Sequence, residues 1–339
     1  MVIRRVKHKF PFSHVLFALA SVTFLTSLLQ VYPREWVEWG YARRLFPVIS
    51  YSFGLLADVI PFSWLDLVIA ACIAILIYGV YHRRWAGLLG TASVLYLLFF
   101  WSWGLNYHRP PVADRLGLDT SGMEKADFER FADLAAAEIN RLWPLASKAP
   151  LDRESISRIA LSRVERVVFK IDGTDWRTTH RVKRSLLLEP WYAAAGIDGM
   201  FNPFGHEPLV VMGPYPFELP FLMSHEVAHV RGIANEGEAN LVAILATIAS
   251  DDPRFKYSGW LELWRYLAAP SKRLDPGPQA DLHAIRQRVL ARRIELINNV
   301  QSAMLDVHLK ANAVPGGIRS YSDIVVLAVA SQPRWEEFE

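Results

Sequence analysis

Long apolar runs occupy the first third of the chain, whereas the remainder mixes apolar and polar positions at helical spacing. Three of these runs approach the roughly 20 residues that a helix needs to cross a hydrocarbon core of about 30 Å. They cover residues 12–31, 62–81 and 86–107. They predict a membrane domain of residues 1–107 with three transmembrane helices. The segment from His108 to Pro111 ends the third run, because proline cannot continue a helix and disfavours helix in the residue before it.

The first run has two interpretations. Four basic residues between positions 4 and 9 form a basic head, and the Ala-Leu-Ala triplet at 18–20 resembles a signal-peptide cleavage site. Only a few apolar residues precede that triplet, however, and the apolar stretch continues to Leu29. A retained membrane anchor is therefore favoured over a cleaved signal.

The positions of Lys and Arg in short loops predict the orientation of the spans. The amino-terminal basic residues and the turn at 82–84 would share the cytoplasmic side, which places a domain of residues 108–339 outside the cytoplasm. Three arginines in the loop at 32–61 weaken this assignment. The aromatic and apolar content of that loop instead predicts a helix lying in the membrane interface.

The pattern after residue 108 predicts a mostly helical domain with a small β element. Apolar positions at helical spacing predict helices, and residues 209–212, between glycines and prolines, predict a short strand. The predicted helices cover residues 125–143, 152–157, 159–169, 221–231, 236–249, 258–268 and 279–310. The apolar segment 324–329 is too brief to cross a membrane.

Composition agrees with membrane association and excludes some other functions. Of 339 residues, 52% are hydrophobic, and 12 Trp and 18 Phe suit apolar cores and membrane interfaces. A net charge of +3 is too small and dispersed to indicate nucleic-acid binding. Cys72 is the only cysteine, so no disulfide can form within the chain.

The candidate chemistry lies in an HExxH motif within an apolar helical segment. His225 and His229 are four residues apart, so they stack on one helix face and both imidazoles can reach one ion. Glu226 points to the side and can reach a water molecule on that ion. A catalytic zinc site also needs a third protein ligand and one open position.

The next residues supply candidates for the third ligand. Gly232 can take a positive φ and end the first helix, and Asn235 with Glu238 fits a capping box at the start of the second. Because Glu238 then has a structural role, Glu236 is the preferred third ligand. Asn240, one turn further on, could hold a ligand histidine through a hydrogen bond.

Each assignment has a structural alternative. An acidic residue in the first turn, such as Glu236, is also favoured by the helix dipole, and Asn240 could simply pack or lie at the surface. If Glu236 is not the ligand, Glu238 is the next candidate. Four other residues could stabilise an oxyanion but are expected outside the site as ordinary surface or loop residues: His180, His206, Tyr215 and Arg231.

The chain resembles a bacterial membrane family known as domain of unknown function 3810, whose members look like HExxH zinc peptidases. The resemblance rests on residues 61–63, 103–111, 202–204, 224–240, 309–312 and 320–322. It implies an active-site helix and an acidic third ligand in a zincin-like domain, carried here onto His225, Glu226, His229 and Glu236. The residues from Pro315 to Arg319 look like an insertion relative to this pattern.

These observations predict a membrane-anchored, zinc-dependent peptidase that acts on a peptide or protein substrate. Glu226 would act as general base, and residues 209–212 could bind substrate by strand addition. Two alternatives remain open. The protein could be a non-catalytic envelope scaffold stabilised by zinc that binds a partner, or the helix could pack without any metal.

Overall fold

The computed structural model describes residues 12–146, 151–178, 180–267, 273–312, 314–317 and 323–338. The amino-terminal basic head and the 320–322 segment of the family resemblance lie outside these residues. Residues 318 and 319 of the proposed insertion do so as well.

The amino-terminal third is helical. It contains α1 (Phe12–Leu28), α2 (Arg34–Trp36), α3 (Phe46–Ala57), α4 (Trp64–Tyr81) and α5 (Trp85–Ser102). A π-helical stretch, Val37–Leu45, joins α2 to α3 into one helical segment, so the loop at 32–61 is helical. The position of this segment in a membrane interface stays a prediction. A short 3-10 helix, Gly104–His108, follows α5.

Two helices in the described residues are long and apolar enough to cross a membrane. α4 and α5 each have 18 residues, with mean hydropathies of 2.1 and 1.5. Only 17% and 22% of their residues are buried, so they are not core helices of a soluble domain. α1 has 17 described residues and is shorter. It packs along α5, and Ser27 Oγ lies 3.0 Å from His108 Nε2 in the 3-10 helix after α5.

The carboxy-terminal two thirds is mainly helical. The helices are α6 (Val112–Leu116), α7 (Lys125–Ala146), α8 (Arg153–Asp172), α9 (Glu189–Ala195), α10 (Leu219–Val230), α11 (Glu236–Ile248), α12 (Pro253–Tyr266), α13 (Pro276–Arg292), α14 (Glu295–Ala311) and α15 (Ile324–Ser331), followed by the 3-10 helix Gln332–Phe338. α8 joins two predicted segments into one helix. The predicted helix 279–310 is instead two helices, because Arg293 and Ile294 are extended and Ile294 donates its N–H to Ala194 O at 2.8 Å.

A two-stranded antiparallel sheet is the small β element. β1 (Gly199–Asn202) pairs with β2 (Glu207–Val210), with Gly199 opposite Val210. β2 therefore begins two residues before the predicted strand 209–212. Its other side makes a parallel bridge between Leu209 and Lys183, which leaves β1 with the open edge among the described residues.

Two hydrophobic cores position the site. The larger is built around α11, which is buried on nearly all sides by α8, α10 and α12. The second crosses the predicted domain boundary near residue 108. In it, Phe46 and Trp103 from the amino-terminal third pack with Phe201 and Val230. Helix α10 is therefore held between the two parts of the chain.

Candidate metal centre

The two motif histidines face each other on α10. Pro220 in the first turn and the following apolar residues start a helix that is buried along most of its length. His225 and His229 lie one turn apart, and their Nε2 atoms are 3.1 Å from each other. His229 is buried, and His225 is partly buried. The i, i+4 spacing thus produces the predicted pair.

A tight turn directs the next helix back to this pair. Gly232 ends α10 with φ +79°, a conformation that favours glycine. A Cβ atom at this position would also lie 2.9 Å from Asn106 Oδ1 and from the Phe46 ring. Asn235 then caps α11, since its side-chain Oδ1 accepts the Glu238 N–H at 3.2 Å. The chain therefore reverses within a few residues.

This turn brings Glu236 to the histidines. Glu236 Oε2 lies 3.1 Å from His225 Nε2 and 3.3 Å from His229 Nε2. With the 3.1 Å separation between the two imidazoles, the three atoms form a nearly equilateral triangle. Four ligands at the usual zinc bond lengths of about 2.0–2.1 Å stand about 3.3–3.4 Å apart at the corners of a tetrahedron. The three side chains therefore fit one face of a zinc coordination shell.

The hydrogen bonding and the charge of the cluster favour the binding of a cation. His229 Nδ1 lies 2.7 Å from Ile233 O, so Nδ1 carries a proton and donates it to this carbonyl, and Nε2 is the ring atom that would bind a metal ion in place of a proton. Burial alone would raise the pKa of Glu236, but the imidazoles of His229 and His225 hold it well below its usual range. Burial would lower the pKa of His229, yet the Glu236 carboxylate raises it to about 9. The cluster therefore attracts positive charge.

Glu226 lies buried beside the cluster, and one of its carboxylate oxygens lacks a hydrogen bond to the described residues. Its side chain is buried, and Oε2 has no hydrogen-bond partner among the described residues. Burial raises the pKa of Glu226 to about 7, although His225 and His229 lower it. An unpartnered buried carboxylate costs free energy. A general base works best when its pKa is close to the operating pH.

Strand β1 runs directly past Glu226. A Cβ atom on Gly199 would lie 2.3 Å from Glu226 Oε1, closer than real side-chain contacts. The glycine thus allows the backbone of β1 to approach the carboxylate. Sequence analysis did not single out Gly199 as a site residue, because its importance depends on packing between β1 and α10.

If Glu226 is the general base of a zinc peptidase, as the sequence predicts, Gly199→Ala should reduce hydrolysis by about 10²-fold, because the added methyl group must displace the Glu226 carboxylate and misplacement of about 1 Å has effects of this size. Zinc content should stay at the wild-type level. The check is hydrolysis of a peptide library followed by mass spectrometry, with metal analysis of the same samples. Gly87→Ala is the control, since its Cβ would meet no atom closer than 3.9 Å. An active Gly199→Ala enzyme would contradict the proposed position of Glu226.

The two other candidates on α11 have different surroundings. Glu238 Oε1 accepts the Val112 N–H at 2.8 Å, and Oε2 lies 4.0 Å from Arg115 Nη2. Glu238 therefore stabilises the start of α6 and is not part of the metal cluster. Asn240 is buried, and its Nδ2 has no hydrogen-bond partner within the described part of the chain. Its role in holding a ligand histidine stays a prediction.

The four residues expected outside the site have their described contacts elsewhere. His206 stacks between Phe46 and Phe53, and the Arg231 guanidinium lies 3.8 Å from the centre of the Trp176 ring. Tyr215 stacks on Phe217, and His180 Nδ1 contacts Thr178.

Further residues near the cluster were not predicted from the sequence. Trp103 Nε1 donates to His229 O at 3.0 Å and so anchors the end of α10. Tyr107 lies next to His308, with its hydroxyl 3.5 Å from His308 Nε2. Burial, and to a smaller extent the charge of Glu236, raise the pKa of Tyr107. Tyr107 lies in the 103–111 block of the family resemblance, but nothing in the sequence pointed to His308.

A buried ionic network fixes the turn behind the metal cluster. Arg109 donates to Glu38 Oε2 and to Asp172 Oδ2, each at 2.8 Å, and to Gly232 O at 3.2 Å. Arg115 also pairs with Asp172. Burial would raise the pKa of Asp172, but Arg109 and Arg115 lower it to about 2. The network joins the π-helical stretch, the segment after α5, α8 and the Gly232 turn.

Taken together, the fold and the site define a mainly helical protein with two helices that can cross a membrane and a histidine–glutamate cluster suited to a metal ion. The chain belongs to the family described as "Protein of unknown function (DUF3810)", whose sequence profile matches residues 41–329. No curated protein and no solved structure matches the chain.

Proposed function

We propose that this protein is a membrane-anchored zinc peptidase. One observation carries the proposal: three ligand atoms lie 3.1–3.3 Å apart, beside a buried carboxylate that has no partner for its Oε2 atom. A zinc site with three protein ligands and one open position is the usual arrangement for hydrolysis. A purely structural zinc site does not need a buried carboxylate beside it, so it would not explain the position of Glu226.

His225, His229 and Glu236 would hold the zinc ion. When bound, zinc polarises a carbonyl oxygen and lowers the pKa of a coordinated water to about 7. Glu226 accepts the proton of the attacking water on its carboxylate and delivers it to the leaving amine. The position of Glu226, one residue after His225 on the same helix, keeps its carboxylate beside the ligand atoms.

The substrate class follows from the strand beside Glu226. β2 is paired on one side with β1 and bridged on the other to Lys183, so residues 209–212 are not available for strand addition. The open edge of β1 offers backbone N–H and C=O groups to an extended peptide. Because Gly199 brings β1 against Glu226, a peptide paired there would place its backbone close to the cluster. We therefore assign substrate binding to β1.

The membrane arrangement is also part of the proposal. α1, α4 and α5 form three spans of a bacterial cell membrane, and the domain after residue 108 lies outside the cytoplasm in a zincin-like arrangement. Support comes from the packing of α1 along α5 and from the basic turn at 82–84, which the positive-inside rule assigns to the cytoplasmic side.

Metal analysis of the purified full-length protein tests the site. We expect about one zinc ion per wild-type chain, and a loss of zinc in His225→Ala and in Glu236→Ala, because three protein ligands are needed for tight binding. The matched control is Glu238→Gln on the same helix turn, which should keep its zinc because Glu238 binds Val112 N–H and not the cluster.

Two outcomes would contradict this assignment. Zinc retained in Glu236→Ala and lost in Glu238→Gln would exchange the roles of the two carboxylates. A wild-type protein without any bound metal after purification and after addition of zinc would remove the peptidase proposal altogether.

A further inference from the structure

Helix α14 has its apolar and polar faces reversed relative to a helix of a soluble protein. Four large apolar side chains at helical spacing lie on its outer face and are between 44% and 73% exposed: Leu296, Val300, Met304 and Val307. A surface helix normally turns such a stripe toward the core. Only Leu309 of this helix is fully buried. The exposed stripe therefore requires a partner.

The inward face of α14 makes polar contacts. Asn298 Nδ2 donates to Ala195 O at 2.7 Å, and Trp191 Nε1 donates to Gln301 Oε1 at 3.3 Å. Near the other end of α14, His308 lies beside Tyr107. Burial lowers the pKa of His308, and the negative charge of Glu236 partly offsets this effect. The polar face is thus directed toward the side of the molecule that carries the metal cluster.

The amino-terminal end of α14 is tied to the start of α4. Ile294 donates its N–H to Ala194 O in α9. The turn before α9 is hydrogen-bonded to Asp66, whose carboxylate accepts the Leu186 N–H at 2.6 Å. Asp66 lies in the first turn of α4. Leu186 and Leu187 in this turn are 62% and 54% exposed, so they extend the apolar surface toward the span.

The carboxy-terminal end of α14 is tied to the end of α5. The His308 ring packs on Phe99 with ring centroids 5.6 Å apart. Because α4 and α5 are joined by a tight turn at 82–84, the start of α4 and the end of α5 lie on the same side of a membrane that both cross. α14, about 25 Å long at 1.5 Å per residue, therefore connects two points at one membrane surface.

From this geometry we propose that α14 lies in the plane of the membrane interface, with its apolar stripe inserted among the lipid acyl chains. Exposed Leu186 and Leu187 lie beside the start of α4, and Phe99 near the end of α5 contacts His308 of α14. Exposed Arg293 and Lys310 stand near the two ends of the helix, where anionic headgroups would meet them. The inference rests on the proposed membrane placement of α4 and α5.

Spin-label accessibility of the full-length protein tests the inference. In a Cys72→Ser background, single cysteines replace Val300 and Met304 on the stripe, Leu76 on α4 and Glu129 on the exposed surface of α7. Each variant is labelled with a nitroxide and reconstituted in vesicles of phosphatidylcholine and phosphatidylglycerol. Accessibility is measured to oxygen, which concentrates in lipid, and to a water-soluble nickel chelate.

We expect the labels at 300 and 304 to be several-fold more accessible to oxygen than to the nickel chelate, as at 76, and the label at 129 to show the opposite. If the labels at 300 and 304 are as accessible to the nickel chelate as the label at 129, while the label at 76 lies in lipid, α14 is not in the membrane. That result would overturn the inference but not the proposed membrane placement of α4 and α5. An aqueous label at 76 would overturn both. Shielding of 300 and 304 from both reagents, with dipolar broadening between labels, would assign the stripe to a second copy of the chain.

Discussion

The Glu226→Gln variant is expected to bind zinc as the wild type does and to lose hydrolytic activity by roughly 10²- to 10⁴-fold. Glutamine has nearly the same shape as glutamate but cannot accept the proton of the attacking water. The three ligand atoms belong to other side chains, so their 3.1–3.3 Å spacing should persist. Peptide cleavage by mass spectrometry and zinc quantification on one preparation provide the measurement.

A surface control separates loss of the base from general damage. Glu138→Gln removes a carboxylate of α7 that pairs with Arg141 among the described residues, and this variant should cleave peptides at the wild-type rate. If Glu226→Gln cleaves peptides at the wild-type rate, Glu226 is not the base. If it loses zinc together with activity, the carboxylate has a structural role in the metal site.

The Arg109→Met variant should lower the free energy of unfolding by about 3–5 kcal/mol, because it removes the central cation of a buried ionic network and leaves Glu38 and Asp172 with only Arg43 and Arg115 among the described residues. The guanidinium binds both Glu38 and Asp172, and all three side chains are 4% exposed. It also binds Gly232 O at the turn between the two ligand helices. We therefore expect zinc affinity to fall as well. Denaturant unfolding in detergent micelles and zinc titration measure the two effects.

The matched control for this variant is Arg141→Met, which removes an exposed arginine from its ion pair with Glu138. Such surface pairs contribute about 0–1 kcal/mol, so its unfolding curve should nearly coincide with that of the wild type. Equal stability of Arg109→Met and Arg141→Met would show that the buried network does not hold the two parts of the chain together.

The grouping of His225, His229 and Glu236 could be predicted from the sequence because it depends on local geometry. His225 and His229 are one helical turn apart, and the turn signals at Gly232 and Asn235 lie between them and Glu236. The sequence alone only favours Glu236 over Glu238 as the third ligand. The structure separates them because residues two apart on a helix point in different directions, and the Glu238 carboxylate accepts the Val112 N–H.

Other features could not be read from local patterns. The break between α13 and α14 depends on the hydrogen bond from Ile294 to Ala194, 100 positions earlier in the sequence. Only one half of the capping box expected at Asn235 is formed: Asn235 Oδ1 accepts the Glu238 N–H. The Glu238 carboxylate instead accepts the N–H of Val112 at the start of α6. The importance of Gly199 depends on its distance to Glu226 on another element. In each case a distant segment competes with the local preference.

By itself, the sequence determined the apolar runs, the mainly helical character and the HExxH pair, since periodicity and i, i+4 spacing act within one element. Tertiary structure alone decided that Trp103 supports the end of α10 from across the predicted boundary, that Arg109 binds the turn after α10, and that the apolar stripe of α14 faces outward. The physical reason is that such contacts join side chains far apart in the chain. Their partners are fixed only when the helices pack.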